Sequence, residues 1–181
     1  NIITYLDTAS SSQKPTSVIN SISNFYINSY ENVHRGMNSL SIDATEIFEN
    51  TREKVRSFIN AKSTNEIIFT KNATDGTNII ANALLSSLDD GDEIITTELE
   101  HHSNFLPWMA LAKKKNLTFK VIPIHPNGTI QEEDIINAIS SSTKLIAISH
   151  MSNVTGQMID IKKIKSSAQK NILFFIDGCQ S

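Results

Sequence analysis

A cluster of polar and reactive residues, Asp177-Gly178-Cys179-Gln180-Ser181, directly follows the apolar run Asn171-Ile172-Leu173-Phe174-Phe175-Ile176. The run reads as a buried parallel strand. An acid at the carboxyl end of such a strand stands where open α/β sheets bind ligands. A buried carboxylate there requires a cationic partner, because an isolated buried charge is costly; a protonated pyridine nitrogen is one such partner. Cys179 beside it invites a role as nucleophile. The other reading of a free thiol is a small, partly buried packing residue, and no base adjoins it in the sequence.

Three further polar loops follow apolar runs. Thr74-Asp75-Gly76-Thr77 stands where a strand turns into a helix. Free backbone N–H groups and a hydroxyl at a helix start make an anion site, and the same residue types also serve as ordinary N-caps. The nucleotide-phosphate fingerprints GxGxxG and GxxxxGK[ST] are missing. His101-His102 cannot both point into one pocket, and with Glu100 they do not form a zinc HExxH motif; each is either a site residue or a polar cap. Ser149-His150-Met151-Ser152-Asn153-Val154-Thr155-Gly156 is either a ligand-contacting loop or a turn closed by its glycine. Together, four polar strand ends point to one site along a sheet edge.

The elements that would position these loops alternate. Pro15 could open a helix in which Val18, Ile19, Ile22, Phe25 and Tyr26 recur at helical spacing. Asn32 to Asn38, with His34-Arg35-Gly36, reads as a loop. Ser41 or Asp43 could cap the next helix, with Ile47, Val55, Phe58 and Ile59 on its apolar face. Strands are expected at 66–70, 93–97, 118–123, 144–149 and 171–176. Helices are expected at 79–88, around Trp108 and Leu111, around Ile135 and Ile136, and at 161–170. The rhythm predicts an α/β fold, a mostly parallel sheet flanked by helices. Residues 1–40 read as an arm and helix, and 41–181 as the sheet domain.

Composition narrows the class. With 181 residues, 39% hydrophobic and 19% charged, the chain is an ordinary globular sequence able to bury one sizeable core. A net charge of -3 offers no basic footprint for nucleic acid. No apolar run reaches bilayer length, so no membrane partner is expected. The single cysteine forms no internal disulfide, and no CxxC pair or zinc-ligand spacing occurs, so no metal site is expected. No charged leader or apolar signal core is visible around Ile2-Ile3-Thr4-Tyr5-Leu6, and localisation is not bounded.

Several segments, in order, resemble one family. Tyr5-Leu6-Asp7, Gln13-Lys14-Pro15, Asn32-Val33-His34-Arg35-Gly36, Leu40-Ser41 and Ala44-Thr45 resemble the start of SUF-type (group II) cysteine desulfurases. So do Thr74-Asp75-Gly76-Thr77-Asn78, Glu100-His101-His102-Ser103-Asn104 with Pro107-Trp108, Ser152-Asn153-Val154-Thr155-Gly156 and Asp177-Gly178-Cys179-Gln180. These enzymes belong to the class V aminotransferase group of fold-type I enzymes, which use pyridoxal 5'-phosphate (PLP).

The resemblance implies roles. Asp177 would pair with the pyridinium nitrogen and keep the ring an electron sink. Gln180 would bond the ring's phenolic oxygen, and His102 would stack on the ring and move protons. Thr74, in the loop with Asp75, would hold the phosphate. Asn153 would contact the cofactor or the substrate's carboxylate side. His34 and Arg35 match a motif near the site. The implied reaction takes sulfur from L-cysteine, leaving L-alanine and an enzyme persulfide for iron–sulfur assembly. A sulfur-acceptor protein of the SUF system and a homodimer are the implied partners, in the cytoplasm or a plastid-type organelle.

Two departures qualify this. The family's Schiff-base lysine and its sulfur-accepting cysteine fall beyond Ser181, so the chain is expected to be an inactive N-terminal fragment. Cys179 stands where relatives carry a small residue such as alanine, and the persulfide role is not moved onto it. The rivals are a selenocysteine lyase, a kynureninase-like enzyme, and a non-catalytic dimerisation module.

Overall fold

The computed structural model of this chain describes residues 3–181; Asn1 and Ile2, where the reading of an absent leader begins, lie outside the described residues. Its contacts divide it into two compact units, one ending at Phe69 and the other Thr70–Ser181.

The first unit carries two helices, α1 (Thr16–Asn28) and α2 (Ser39–Phe58). Pro15 sits at the N-cap of α1, where its missing N–H is of no consequence. Neither Ser41 nor Asp43 caps α2. Asn38 does, accepting the Ser41 N–H at 2.9 Å. Ser41 is instead buried in the first turn, where its Oγ accepts the Gly36 N–H at 3.0 Å and its hydroxyl donates to the Asn32 carbonyl at 2.5 Å. The loop expected at 32–38 is therefore tied to the helix start. His34 adopts φ 66 there, its N–H given to Thr45 Oγ1 at 3.0 Å.

The strand expected at 66–70 does not form. Thr64–Glu66 is a 3-10 turn, and Ile67 to Thr70 carries no ladder. A strand is defined by a partner, and among the described residues none runs alongside; Arg52 meets the Ile67 carbonyl instead.

The second unit is a four-stranded, wholly parallel sheet of β1 (Glu93–Thr97), β2 (Thr118–Ile122), β3 (Thr143–Ser149) and β4 (Leu173–Asp177), in the order β2-β1-β3-β4. Its helices are α3 (Ala73–Ala83), α4 (His102–Lys115), α5 (Glu132–Ala138) and α6 (Ile161–Ser167). Every residue of β1 is buried, as its β-branched run Ile94-Ile95-Thr96-Thr97 suits in a strand covered on both faces, and Glu93 at its start is paired with Lys120.

Alternation splits the core into two layers. Ile94, Leu145 and Ala147 pack with Ala81 of α3 and Trp108, Leu111 and Ala112 of α4. Ile95, Ile146 and Ile148 pack on the other face with Ile135 of α5 and Ile164 of α6. The α/β expectation is met. One detail differs: β4 is parallel but lies at the sheet's edge among the described residues, so Leu173 and Ile176 are exposed rather than buried.

The strand order fixes the site. The chain runs from β1 to β2 on one side, then returns past β1 to β3 and β4. Connections therefore leave the neighbouring strands β1 and β3 in opposite directions. Their carboxyl ends flank the crevice where open α/β sheets bind ligands.

Candidate active site

Helix α3 starts six residues earlier than the sequence pattern suggested, because Asn72 is its cap and accepts the Asp75 N–H at 2.9 Å. Asp75 answers by taking the Lys71 N–H on Oδ2 at 3.3 Å, a reciprocal cap. The N–H groups of Ala73 and Thr74, in the first turn, take no acceptor among the described residues. Thr74 is exposed. Because α3 leads down to the start of β1, its N-terminus stands at the same sheet edge as the strand carboxyl ends. The helix dipole and these N–H groups favour an anion there.

The two histidines after β1 divide their work. His101 is the N-cap of α4, its Nδ1 accepting the Ser103 N–H at 3.1 Å and lying 2.7 Å from Ser103 Oγ. His102, the first helical residue, is exposed with its ring centroid 6.3 Å from that of His101.

Asn153 lies in a tight turn after β3. Buried Ser152 closes the turn: its Oγ accepts the Val154 and Thr155 N–H groups at 3.2 and 3.3 Å, and its carbonyl takes the Gly156 N–H. Gly156 has φ 71, which its missing side chain permits. Asn153 itself is exposed.

Asp177 ends β4, half-buried, and lies in register with Ser149 of β3. Two residues on from Phe175, which packs on Trp108 at 4.9 Å, it shares the α4 face of the sheet. Its Oδ1 accepts the Cys179 N–H at 2.9 Å, and among the described residues no basic side chain forms an ion pair with it. Gln180 follows, half-buried. Cys179 is exposed rather than a partly buried packing residue; partial desolvation, and the Asp177 carboxylate bonded to and facing it, push its thiol up to about 11.

A second set of residues, to which sequence reasoning gave no role, spans the crevice. Glu100 accepts the Thr97 hydroxyl at 2.8 Å, the Asn104 amide at 2.6 Å and the Ser149 hydroxyl at 2.6 Å. Asn104, fully buried, in turn accepts the Trp108 indole N–H at 2.9 Å. Burial raises the Glu100 carboxyl above its ordinary value, against the lowering effect of the bonds from Ser149, Thr97 and Asn104. The i, i+4 spacing of Glu100, Asn104 and Trp108 was the available signal for part of this chain.

Thus Thr74 and Asp75, His102, Asn153, Asp177 and Gln180 all lie at one sheet edge. Those on α3, α4 and β4 share one face. A helix start with free N–H groups and a carboxylate without a cationic partner among the described residues would suit a ligand that is anionic at one end and cationic at the other.

The chain belongs to the class V aminotransferase family, whose model, Aminotransferase class-V, matches residues 4–181. Within it the chain is similar to cysteine desulfurases. It is 42% identical over 181 residues to a probable cysteine desulfurase of Halalkalibacterium halodurans, a match taking in 99% of this chain and 45% of that protein. The apo cysteine desulfurase of Thermococcus onnurineus NA1 superposes with a TM-score of 0.89 at 34% identity, over 95% of this chain and 43% of that one. A variant of C-DES with glycine covalently linked to its PLP cofactor superposes with a TM-score of 0.82 over 98% of this chain and 47% of that one. At 24% identity, that likeness is one of fold alone. The chain spans about 45% of the length of the curated relatives it matches.

Proposed function

We propose that this chain is the cofactor-holding part of a PLP-dependent cysteine desulfurase of the SUF type. The overall reaction breaks the carbon–sulfur bond of L-cysteine, releases L-alanine and leaves the sulfur on an enzyme thiol as a persulfide, destined for iron–sulfur assembly. One observation carries this reading. Asp177, half-buried and without a basic partner among the described residues, shares a sheet edge and face with the α3 N-terminus and His102. On this reading residues 1–40 act as an arm and 41–181 belong to the cofactor-binding domain.

PLP, when bound, supplies an electron sink to the carbon beside the substrate carboxylate. The rest falls to the protein. Asp177 holds the ring nitrogen protonated, since a carboxylate nearby favours the charged form. Gln180 bonds the ring's phenolic oxygen. The Thr74 hydroxyl and the free N–H groups of the first turn of α3 hold the phosphate, while Asp75 keeps that turn closed. His102 covers the ring and carries a proton. Asn153 contacts the cofactor or the substrate's carboxylate side.

The sulfur-accepting role is not assigned to Cys179: the attacking species is a thiolate, and the Cys179 thiol is pushed up to about 11, which disfavours that form. On this reading the accepting cysteine and the PLP-holding lysine are expected outside these 181 residues, and the chain alone is expected to turn over no cysteine. The full-length protein works as a homodimer with a sulfur-acceptor protein.

The test is alanine release from L-cysteine by the full-length protein supplied with PLP and a thiol reductant. Alanine and sulfide in equal amounts support the reading. A PLP-loaded protein that releases none, or a 181-residue chain that releases it alone, contradicts it.

A further inference from the structure

Glu100 occupies an unusual place. It lies between the end of β1 and the start of α4, at the crevice where the strand connections diverge. Its carboxylate takes one donor from its own strand end, Thr97, one from the first turn of α4, Asn104, and one from the far side of the crevice, Ser149. The last bond links residues 49 apart in sequence.

The network is also directional. Asn104 gives its amide protons to Glu100 and its oxygen to Trp108, so its orientation is fixed from both sides. Trp108 and Asn104 are both fully buried, and Trp108 packs on Phe175, two residues before Asp177. Ser149 is itself the register partner of Asp177. His102 lies two residues past Glu100 and two before Asn104 and is exposed, with no side-chain bond of its own to place it among the described residues. The position of its ring is inherited from the turn that Glu100 holds.

We propose that Glu100 is a positioning residue: by bonding Ser149 across the crevice and Asn104 in α4, it sets His102 over the Asp177 end of the sheet. This rests on the reading of His102 as a cofactor-contacting residue. A glutamine at 100 has one acceptor oxygen and an amide that donates, so it cannot receive all of Thr97, Asn104 and Ser149. An alanine at 149 removes the hydroxyl bond across the crevice and leaves the Ser149 backbone, which also favours the Glu100 carboxylate, in place.

The experiment uses the full-length protein with Glu100→Gln, Ser149→Ala and both together. In the cofactor-free protein, the His102 ring resonances and the Trp108 indole N–H are followed by NMR. Both single variants should move the His102 resonances, and Glu100→Gln should move the indole N–H as well. The dissociation constant for PLP should rise about ten-fold in Glu100→Gln, less in Ser149→Ala, and no further in the double variant, because the two changes break one link. Unchanged His102 resonances in folded Ser149→Ala overturn the proposal, as does a double variant whose effect is the product of the singles. If the wild type takes up no PLP but its His102 resonances respond to both changes, the functional reading fails and the positioning role stands.

Discussion

Asp177 lies in register with Ser149 on the adjacent parallel strand, and Ser149 Oγ is 2.6 Å from Glu100 Oε2. Two carboxylates thus flank one serine at the sheet's carboxyl edge, with different partners. Glu100 takes three side-chain donors. Asp177 takes the Cys179 N–H and pairs with no basic side chain among the described residues. The first suits a fixed structural anion and the second an anion awaiting a cation. Asp177→Asn in the full-length protein should lower cysteine turnover about 100-fold, the effect of removing one member of a shielded charge pair. Unchanged melting would show that the loss lies in the site.

Cys179 should be a sluggish thiol. With its proton held to about pH 11, alkylation by iodoacetamide at pH 8 should be slower than that of free cysteine and should rise steeply only above pH 10. Because Asp177 contributes to the shift, Asp177→Asn should speed alkylation. Peptide mass analysis of the labelled residue over a pH series reads this directly.

Glu93 should stabilise the sheet in a pH-dependent way. Burial pushes its carboxyl up, but the bonds from Lys120 Nζ at 2.7 Å and from Thr143 and Ser140 more than offset that, leaving it below 4.5. A carboxyl lowered on folding contributes stability that is present above 4.5 and lost as pH falls through the lower folded value. Lys120→Met should cost about 1–3 kcal/mol in urea melts at pH 7, and the difference from wild type should shrink in acid.

Glu100 should show the opposite slope. Its carboxyl is raised on folding, so the unfolded chain releases this proton first as pH climbs past 4.5. Its contribution to stability therefore falls between 4.5 and the higher folded value, and is constant on either side. Urea melts of wild type and Glu100→Gln across that range should diverge in slope; parallel curves would contradict the assignment.

Gly36 should tolerate no side chain. A Cβ there would lie 2.4 Å from Ser41 Cβ and Oγ, the side chain that ties the 32–38 loop to α2. Gly36→Ala should cost about 1–3 kcal/mol through this overpacking, measurable as a lowered melting temperature.

The sheet was legible in sequence where burial on both faces selected β-branched residues, as at Ile94-Ile95-Thr96-Thr97. It was not legible at Glu66-Ile67-Ile68-Phe69-Thr70, which differs from 93–97 only by Phe69 for a threonine but has no neighbour to pair with among the described residues. Local pattern encodes propensity, whereas a ladder needs a partner. The start of α3 was misplaced because Thr74 and Asp75 are good caps that mask the actual one, Asn72. The site's outline was readable from residues that follow strands. Glu100 was not, because the partner that gives it meaning, Ser149, is brought beside it only by the parallel pairing of β1 with β3.

The central claim is that the Asp177 edge receives PLP. The most direct measurement is a PLP titration of the full-length protein, wild type and Asp177→Ala, followed by the cofactor's visible absorbance and by borohydride trapping with peptide mass analysis. The account predicts saturation at one PLP per chain in the wild type, a lysine adduct outside residues 1–181, and binding weakened at least ten-fold in Asp177→Ala. Equal binding by the two proteins, or a stoichiometric adduct on a lysine within these residues, would contradict it.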